Sequence, residues 1–156
     1  MKATEDTIGM TITICSSAAF YKDLFPIMEE LEKRGYTVFI PSTAYRMKES
    51  GNYDDLHYKT WYDNPDDFSR KTFLMQEHLG CIDKSDAILV VNHEKKGVPG
   101  YIGGNVLLEM FYAWIHKKPI YVLNRVGKEL PLYEEVLGMT PVFLGGDLSK
   151  LQLSEQ

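Results

Sequence analysis

One stretch of the chain brings together the residue types of a carboxylate site. In Tyr101-Ile102-Gly103-Gly104-Asn105-Val106-Leu107-Leu108-Glu109, a glycine pair precedes a helix-like run over 106–117. Glycines at that point let backbone N–H groups approach a ligand closely, because no Cβ intervenes. Asn105 is a favoured N-cap type. Glu109 then falls in the first turn or just past it, among Val106, Leu107, Leu108, Met110 and Phe111. A carboxylate placed so gains from the helix dipole and sits in apolar company, which suits an anionic nucleophile or base. The plainer alternative is a Glu on the wet face of an amphipathic helix.

Other groups with chemistry lie elsewhere in the chain. Cys15-Ser16-Ser17 closes a strand-like run, and its hydroxyls can bind a polar ligand. Cys15 is either a thiolate near a helix start or a small buried hydrophobe. His78 and His93 flank the apolar run 87–91, and Asn92 sits between that run and His93. The four histidines form no HExxH pair and the two cysteines no metal spacing, so neither a metal nor a cofactor is expected.

Alternation of strands and helices must position these groups. Strands are expected at 10–15, 36–40, 87–91, 119–123 and 141–144, with helices at 19–34, 67–84, 106–117 and 132–137. Phe20 belongs to the first helix, which Pro26 kinks or restarts. Residues 42–66 read as a long loop carrying Tyr45, Tyr53, Tyr58, Trp61 and Tyr62, which either stack on a flat ligand or pack the loop down. The pattern predicts a single α/β domain over 10–156, following a flexible tail at 1–9. Its expected architecture is a three-layer, flavodoxin-like (Rossmann-like) fold with a five-stranded parallel sheet in the order 2-1-3-4-5. Ligands of such sheets sit beyond the strand carboxyl ends where the winding reverses. That point lies between strands one and three, which joins the Cys15-Ser16-Ser17 turn to the loop leading to Glu109.

Composition narrows the partners. The 156 residues are 44% hydrophobic and 25% charged, with a formal net charge of −5. Polymeric nucleic acid is an unfavourable partner for that charge, and no apolar run reaches the roughly 20 residues of a membrane span. A cytoplasmic location is the expectation.

The ordered set of these motifs resembles a known family. The hydroxyl-bearing turn after strand one, Ser85-Asp86-Ala87 entering strand three, and Glu109 followed by Ala113 are similar to the nucleoside 2-deoxyribosyltransferase superfamily, which includes nucleoside-5′-monophosphate N-glycosidases. Gly103-Gly104 with Glu109 also resembles, more weakly, the lysine-decarboxylase-like phosphoribohydrolases. Both resemblances imply cleavage of an N-glycosidic bond, by hydrolysis or transfer, with Glu109 as nucleophile. His78 is then the candidate acid. Cys15, Ser16, Ser17, Phe20, Asn92, His93, Gly103, Gly104 and Asn105 are the candidate substrate contacts. The implied partner is a small nucleoside or nucleotide, and the implied assembly a homodimer or larger homo-oligomer. The chain departs from the superfamily in having Gly103 where an Asp or Ser is common, and no basic residue between Cys15 and Tyr21. Those departures leave open a second reading, a nucleotide sensor of the same fold without turnover.

Overall fold

The computed structural model describes residues 9–153, so the expected tail lies outside the described residues except for Gly9. Five strands form one all-parallel sheet: β1 (Thr11–Ser16), β2 (Thr37–Phe39), β3 (Ala87–Val91), β4 (Ile120–Val122) and β5 (Val142–Phe143). Their order is β2-β1-β3-β4-β5, a flavodoxin-like arrangement. The strand period of two divides the core. Ile12, Ile14, Leu89, Val91, Tyr121 and Leu123 face one layer, while Cys15, Ile88, Val90, Ile120 and Val122 face the other.

The first layer holds α1 (Leu24–Lys33). A 3-10 turn over Ala18–Asp23 precedes it, so Pro26 lies in the first helical turn. Its missing N–H would have no intrahelical partner there, so the helix restarts rather than kinks. Buried Arg34 donates to the carbonyls of Leu148 and Leu151, both at 2.6 Å, and ties the C-terminal segment to this layer. The second layer holds α4 (Phe68–Asp83) and α5 (Gly104–Ile115), with α6 (Tyr133–Gly138) beyond them. Among the described residues, no helix is long and apolar enough to cross a membrane.

The stretch 42–66 is not the long loop expected from its composition. It contains α2 (Ser42–Ser50), α3 (Asp55–Tyr58) and a 3-10 turn at Thr60–Tyr62, and the 3-10 turn Pro65–Asp67 follows from its end. α2 buries only Thr43, Ala44 and Met47, so its apolar periodicity is faint. Pro41 stands at its N-cap in non-helical backbone, and Gly51 closes it at φ 72°, the left-handed turn that favours glycine. Asp54 caps α3 by accepting from the Leu56 N–H, and Asn64 accepts from Asp66 in the same way.

Candidate functional site

Ser16 and Val91 pair in register at the ends of β1 and β3. The chain therefore leaves both strands at one level, where the winding reverses. A cavity of about 600 Å³ opens there, within the size range of small-molecule sites. Its floor includes Ser16, His78, Gly103, Gly104, Asn105 and Glu109. Its roof is the segment after β2, with Asp55, Tyr58, Lys59, Trp61 and Tyr62. Tyr45 and Tyr53 lie apart, Tyr45 edge-on to Phe25 and Tyr53 beneath Lys22.

Glu109 is the centre of the floor. It lies in the second turn of α5, and it is buried rather than on a wet face. The helix N-cap is Gly103, not Asn105. Asn105 sits inside the first turn, where its side chain has a different role. Its Nδ2 donates to Glu109 Oε1 at 2.9 Å, and its Oδ1 accepts from Lys71 Nζ at 3.3 Å. An ammonium only donates and a carboxylate only accepts, so this relay fixes the amide's orientation. The other carboxyl oxygen, Oε2, is buried and has no hydrogen-bond partner. Burial pushes the Glu109 pKa up to about 7, against the pull of the Cys15 thiol and Lys71. The thiol leans on the carboxyl closely enough to lower that pKa, without the geometry of a formed hydrogen bond to Oε2.

His78 lines the cavity but is not suited to the acid role expected of it. Its Nε2 lies 3.0 Å from the Ile14 carbonyl, which can only accept, so Nε2 carries the proton. Burial lowers its pKa to about 4, so the ring is neutral at pH 7. The 3.6 Å approach of Nε2 to Glu109 Oε2 is therefore not an ion pair. His78 thus lies against the carboxylate as a neutral ring.

The remaining expected contacts divide. Ser16 and Ser17 line the cavity, although the Ser16 hydroxyl donates to Val91 O at 2.8 Å. Gly103 and Gly104 line it as well, and a Cβ on Gly104 would meet nothing within 4 Å. Cys15 lies fully buried behind Glu109, with its thiol pKa raised by burial and then by that carboxylate, so it is the small buried hydrophobe rather than a thiolate. Phe20, Asn92 and His93 do not line the cavity. Phe20 and His93 pack edge to face at 5.3 Å, and His93 lies 3.9 Å from Asp23. Asn92 is a clamp: Nδ2 donates to the Gly100 and Asn124 carbonyls, and Oδ1 accepts from the Asn124 N–H. Gly100 is required beneath it, since φ is 63° and a Cβ would strike the Arg125 carbonyl oxygen.

Sequence reasoning missed the cations. Lys59, Lys71, Lys95 and Lys96 all line the cavity, against Asp55, Glu77 and Glu109. Lys95 Nζ reaches Ser17 Oγ at 3.3 Å and lies 4.9 Å from the Tyr101 ring centre. The strand-one turn thus acquires its basic partner from the 93–104 loop, folded back by the Lys95–Val98 bridge. Lys71 stands seven residues before His78, on the same helical face, a spacing that is visible in the sequence. Burial lowers the pKa of both Lys71 and Lys95. Tyr21 also lines the cavity; burial and the nearby Glu109 push its phenol upward, so it stays protonated and can donate.

Cys15, His78 and Glu109 place one donor atom each within 4.8 Å of one another. His78 Nε2 lies 3.0 Å from the Ile14 carbonyl, so ligation through that nitrogen would require giving up this hydrogen bond. A scan against models of protein families finds no match to this chain, and no curated protein matches it.

Proposed function

We propose that the protein cleaves the N-glycosidic bond of a nucleoside or nucleoside monophosphate, by hydrolysis or transfer, with Glu109 as nucleophile. The observation that carries this reading is Glu109 Oε2: a buried, unpartnered carboxylate oxygen at a cavity wall, while Oε1 is held by Asn105. A carboxyl with a pKa of about 7 supplies the anion at neutral pH and remains a strong nucleophile. Oε2 attacks C1′ as the bond to the base breaks, and the bonding pair leaves on the base nitrogen, which takes a proton from water. Water or an acceptor base then attacks C1′, the bond from C1′ to Oε2 breaks to free the carboxylate, and the attacker's proton goes to the hydroxide left by the first step. The positive charge that develops on the sugar ring in both steps lies beside Glu109. Of the aromatics that line the cavity, exposed Tyr62 can stack on a base, and the lysines attract an anionic group such as a phosphate. The superfamily resemblance supports the same bond, and with it a cytoplasmic homo-oligomer.

A second reading, a nucleotide sensor without turnover, is favoured by one observation: His78 is neutral and bonded to Ile14, so the expected acid is missing. Chromatography of nucleosides and nucleoside monophosphates incubated with the protein separates the two. Released free base that vanishes in Glu109→Gln is the expected result. Tight binding with no base released from any of them would leave the sensor.

A further inference from the structure

A second cleft, of about 350 Å³, lies between α2 and α4. Ser42 and Arg46 stand four apart on α2, so they share one face of that helix. On α4, Ser69 and Phe73 stand four apart, and so do Arg70 and Leu74. These six residues line the cleft, and none of them is acidic. Carboxylates are close by in the chain: Glu49 lies three residues after Arg46, and Asp66 and Asp67 lie four and three before Arg70. Helix arginines commonly pair with carboxylates at such spacings. Among the described residues, neither arginine forms an ion pair with these or any other carboxylate. The Arg46 guanidinium lies instead 5.3 Å from the Tyr58 ring centre. The Ser42 and Ser69 hydroxyls likewise have no hydrogen-bond partner among the described residues.

We propose that this cleft binds the phosphate group of a small organic phosphate, held by the Arg46 and Arg70 guanidiniums, with the Ser42 and Ser69 hydroxyls as further donors. A guanidinium presents a planar fork of N–H donors that matches phosphate oxygens. Hydroxyls with no protein partner can donate without breaking a bond. The chain's net charge of −5 repels an anion over much of the surface, so unpaired cations decide where one is held. Phe73, 61% exposed, gives the organic part of the ligand an apolar ring to lie on. The cleft adjoins the Glu109 cavity, because Ser42 and Leu74 line both. Arg46 also lies against Tyr58, a roof residue of that cavity. A phosphate bridging the two arginines ties α2 to α4, and so braces the roof against the helix that carries Lys71 and His78. The phosphate has two sources, a separate molecule or a distal phosphate of the ligand in the Glu109 cavity. The inference goes beyond the glycosidic reaction and does not depend on it.

Titration of the isotope-labelled full chain with ribose 5-phosphate, followed by amide NMR, tests it. The amides of Ser42, Arg46, Ser69 and Arg70 should shift with a dissociation constant of about 1 mM or below. Arg46→Gln and Arg70→Gln, both at exposed side chains, should each weaken that response about ten-fold. If Arg46→Gln disturbs the roof through Tyr58, Arg70→Gln decides. Silence at these four amides up to about 20 mM would overturn the proposal. A response matched by ribose, matched by sodium chloride at the same ionic strength, or unchanged in Arg70→Gln would overturn it as well. Adenosine 5′-diphosphate then separates the sources. One midpoint shared with the amides of Ser17 and Lys95 supports a single ligand reaching into the cleft, and two midpoints support a second molecule there. Base release without a cleft response would reject this site alone; a cleft response without base release would reject the reaction alone.

Discussion

The floor and the roof of the cavity are built differently. The floor hangs on the sheet: Glu109 is held by Asn105, Asn105 by Lys71, and His78 by the Ile14 carbonyl of β1. The roof consists of short helices and turns, capped within themselves by Asp54 and Asn64 and braced by the Tyr58 hydroxyl on Ser50 and Asn52. The two meet where the Trp61 ring lies 5.8 Å from Lys71 Nζ. A rigid floor suits a reacting atom that must be placed within fractions of an ångström. A self-contained roof suits selection of a ligand, since it can loosen without disturbing the sheet. Floor changes should therefore act on turnover, and roof changes on affinity.

The sharpest division comes from Glu109→Gln. The amide keeps the shape and loses the nucleophile, so turnover should fall by about 10³-fold or more, roughly 4 kcal/mol of transition-state stabilisation. Substrate affinity should change far less, because the charge acts when the sugar becomes cationic. Single-turnover base release beside equilibrium binding measures both. Equal losses in the two would erase the distinction between floor and roof.

The next effect is in stability. With its pKa at about 7, Glu109 keeps a proton when folded that the unfolded chain loses near pH 4.5, so this group's stability contribution falls as pH rises from about 4.5 to 7. With its pKa at about 4, His78 lacks a proton that the unfolded chain takes up below about 6.5, so its contribution falls as pH drops from 6.5 to 4. Between about 4.5 and 6.5 the two slopes cancel: folding in effect moves one proton from the histidine to the carboxyl. Glu109→Gln should unmask a rise with pH from about 4 to 6.5, and His78→Gln a fall from about 4.5 to 7. Each spans up to about 3 kcal/mol. Urea midpoints from pH 4 to 8 read this directly. Identical profiles for the wild type and both variants would show that the pair is not perturbed by burial.

The roof's own contribution is smaller. Tyr62 lines the cavity and is 68% exposed, so Tyr62→Ala removes a stacking face with little effect on packing. Affinity should weaken by about 1–3 kcal/mol with turnover at saturation unchanged. Titration calorimetry with the substrate found by the base-release screen would show it. Unaltered affinity would mean that the base lies elsewhere in the cavity.

The same contrast governs what was legible in the sequence. The sheet order and the burial of 87–91 follow from periodicity, because strands covered on both faces read as continuous apolar runs. Ser16, Ser17, His78, Gly103, Gly104, Asn105 and Glu109 then converge by topology alone. Phe20, Asn92 and His93 did not follow, because proximity along the chain does not fix where a side chain turns. Asn92 faces two backbone carbonyls, and His93 faces Phe20. α2 was hidden because it buries three small or flexible side chains and leaves the rest wet. The lysines were hidden because they arrive from separate elements, and Lys95 only by a loop that doubles back on itself.

Gly51→Ala asks whether the roof can be loosened alone. Gly51 ends α2 at φ 72°, and its N–H donates to the Met47 carbonyl at 2.8 Å. A Cβ there has open space, so the effect is backbone strain and not a clash. Left-handed backbone costs a non-glycine residue about 1–2 kcal/mol. That strain should act first on α2 and the segment it feeds, which carries Tyr58, Trp61 and Tyr62. Hydrogen exchange should quicken at 42–62 while protection of β1, β3 and α5 holds. KM should rise a few-fold and kcat stay within about two-fold, since Asn105 still holds Glu109 and His78 still meets Ile14. Exchange that quickens equally across the sheet would mean one cooperative unit. The division of labour between floor and roof would then be one of chemistry alone and not of stability.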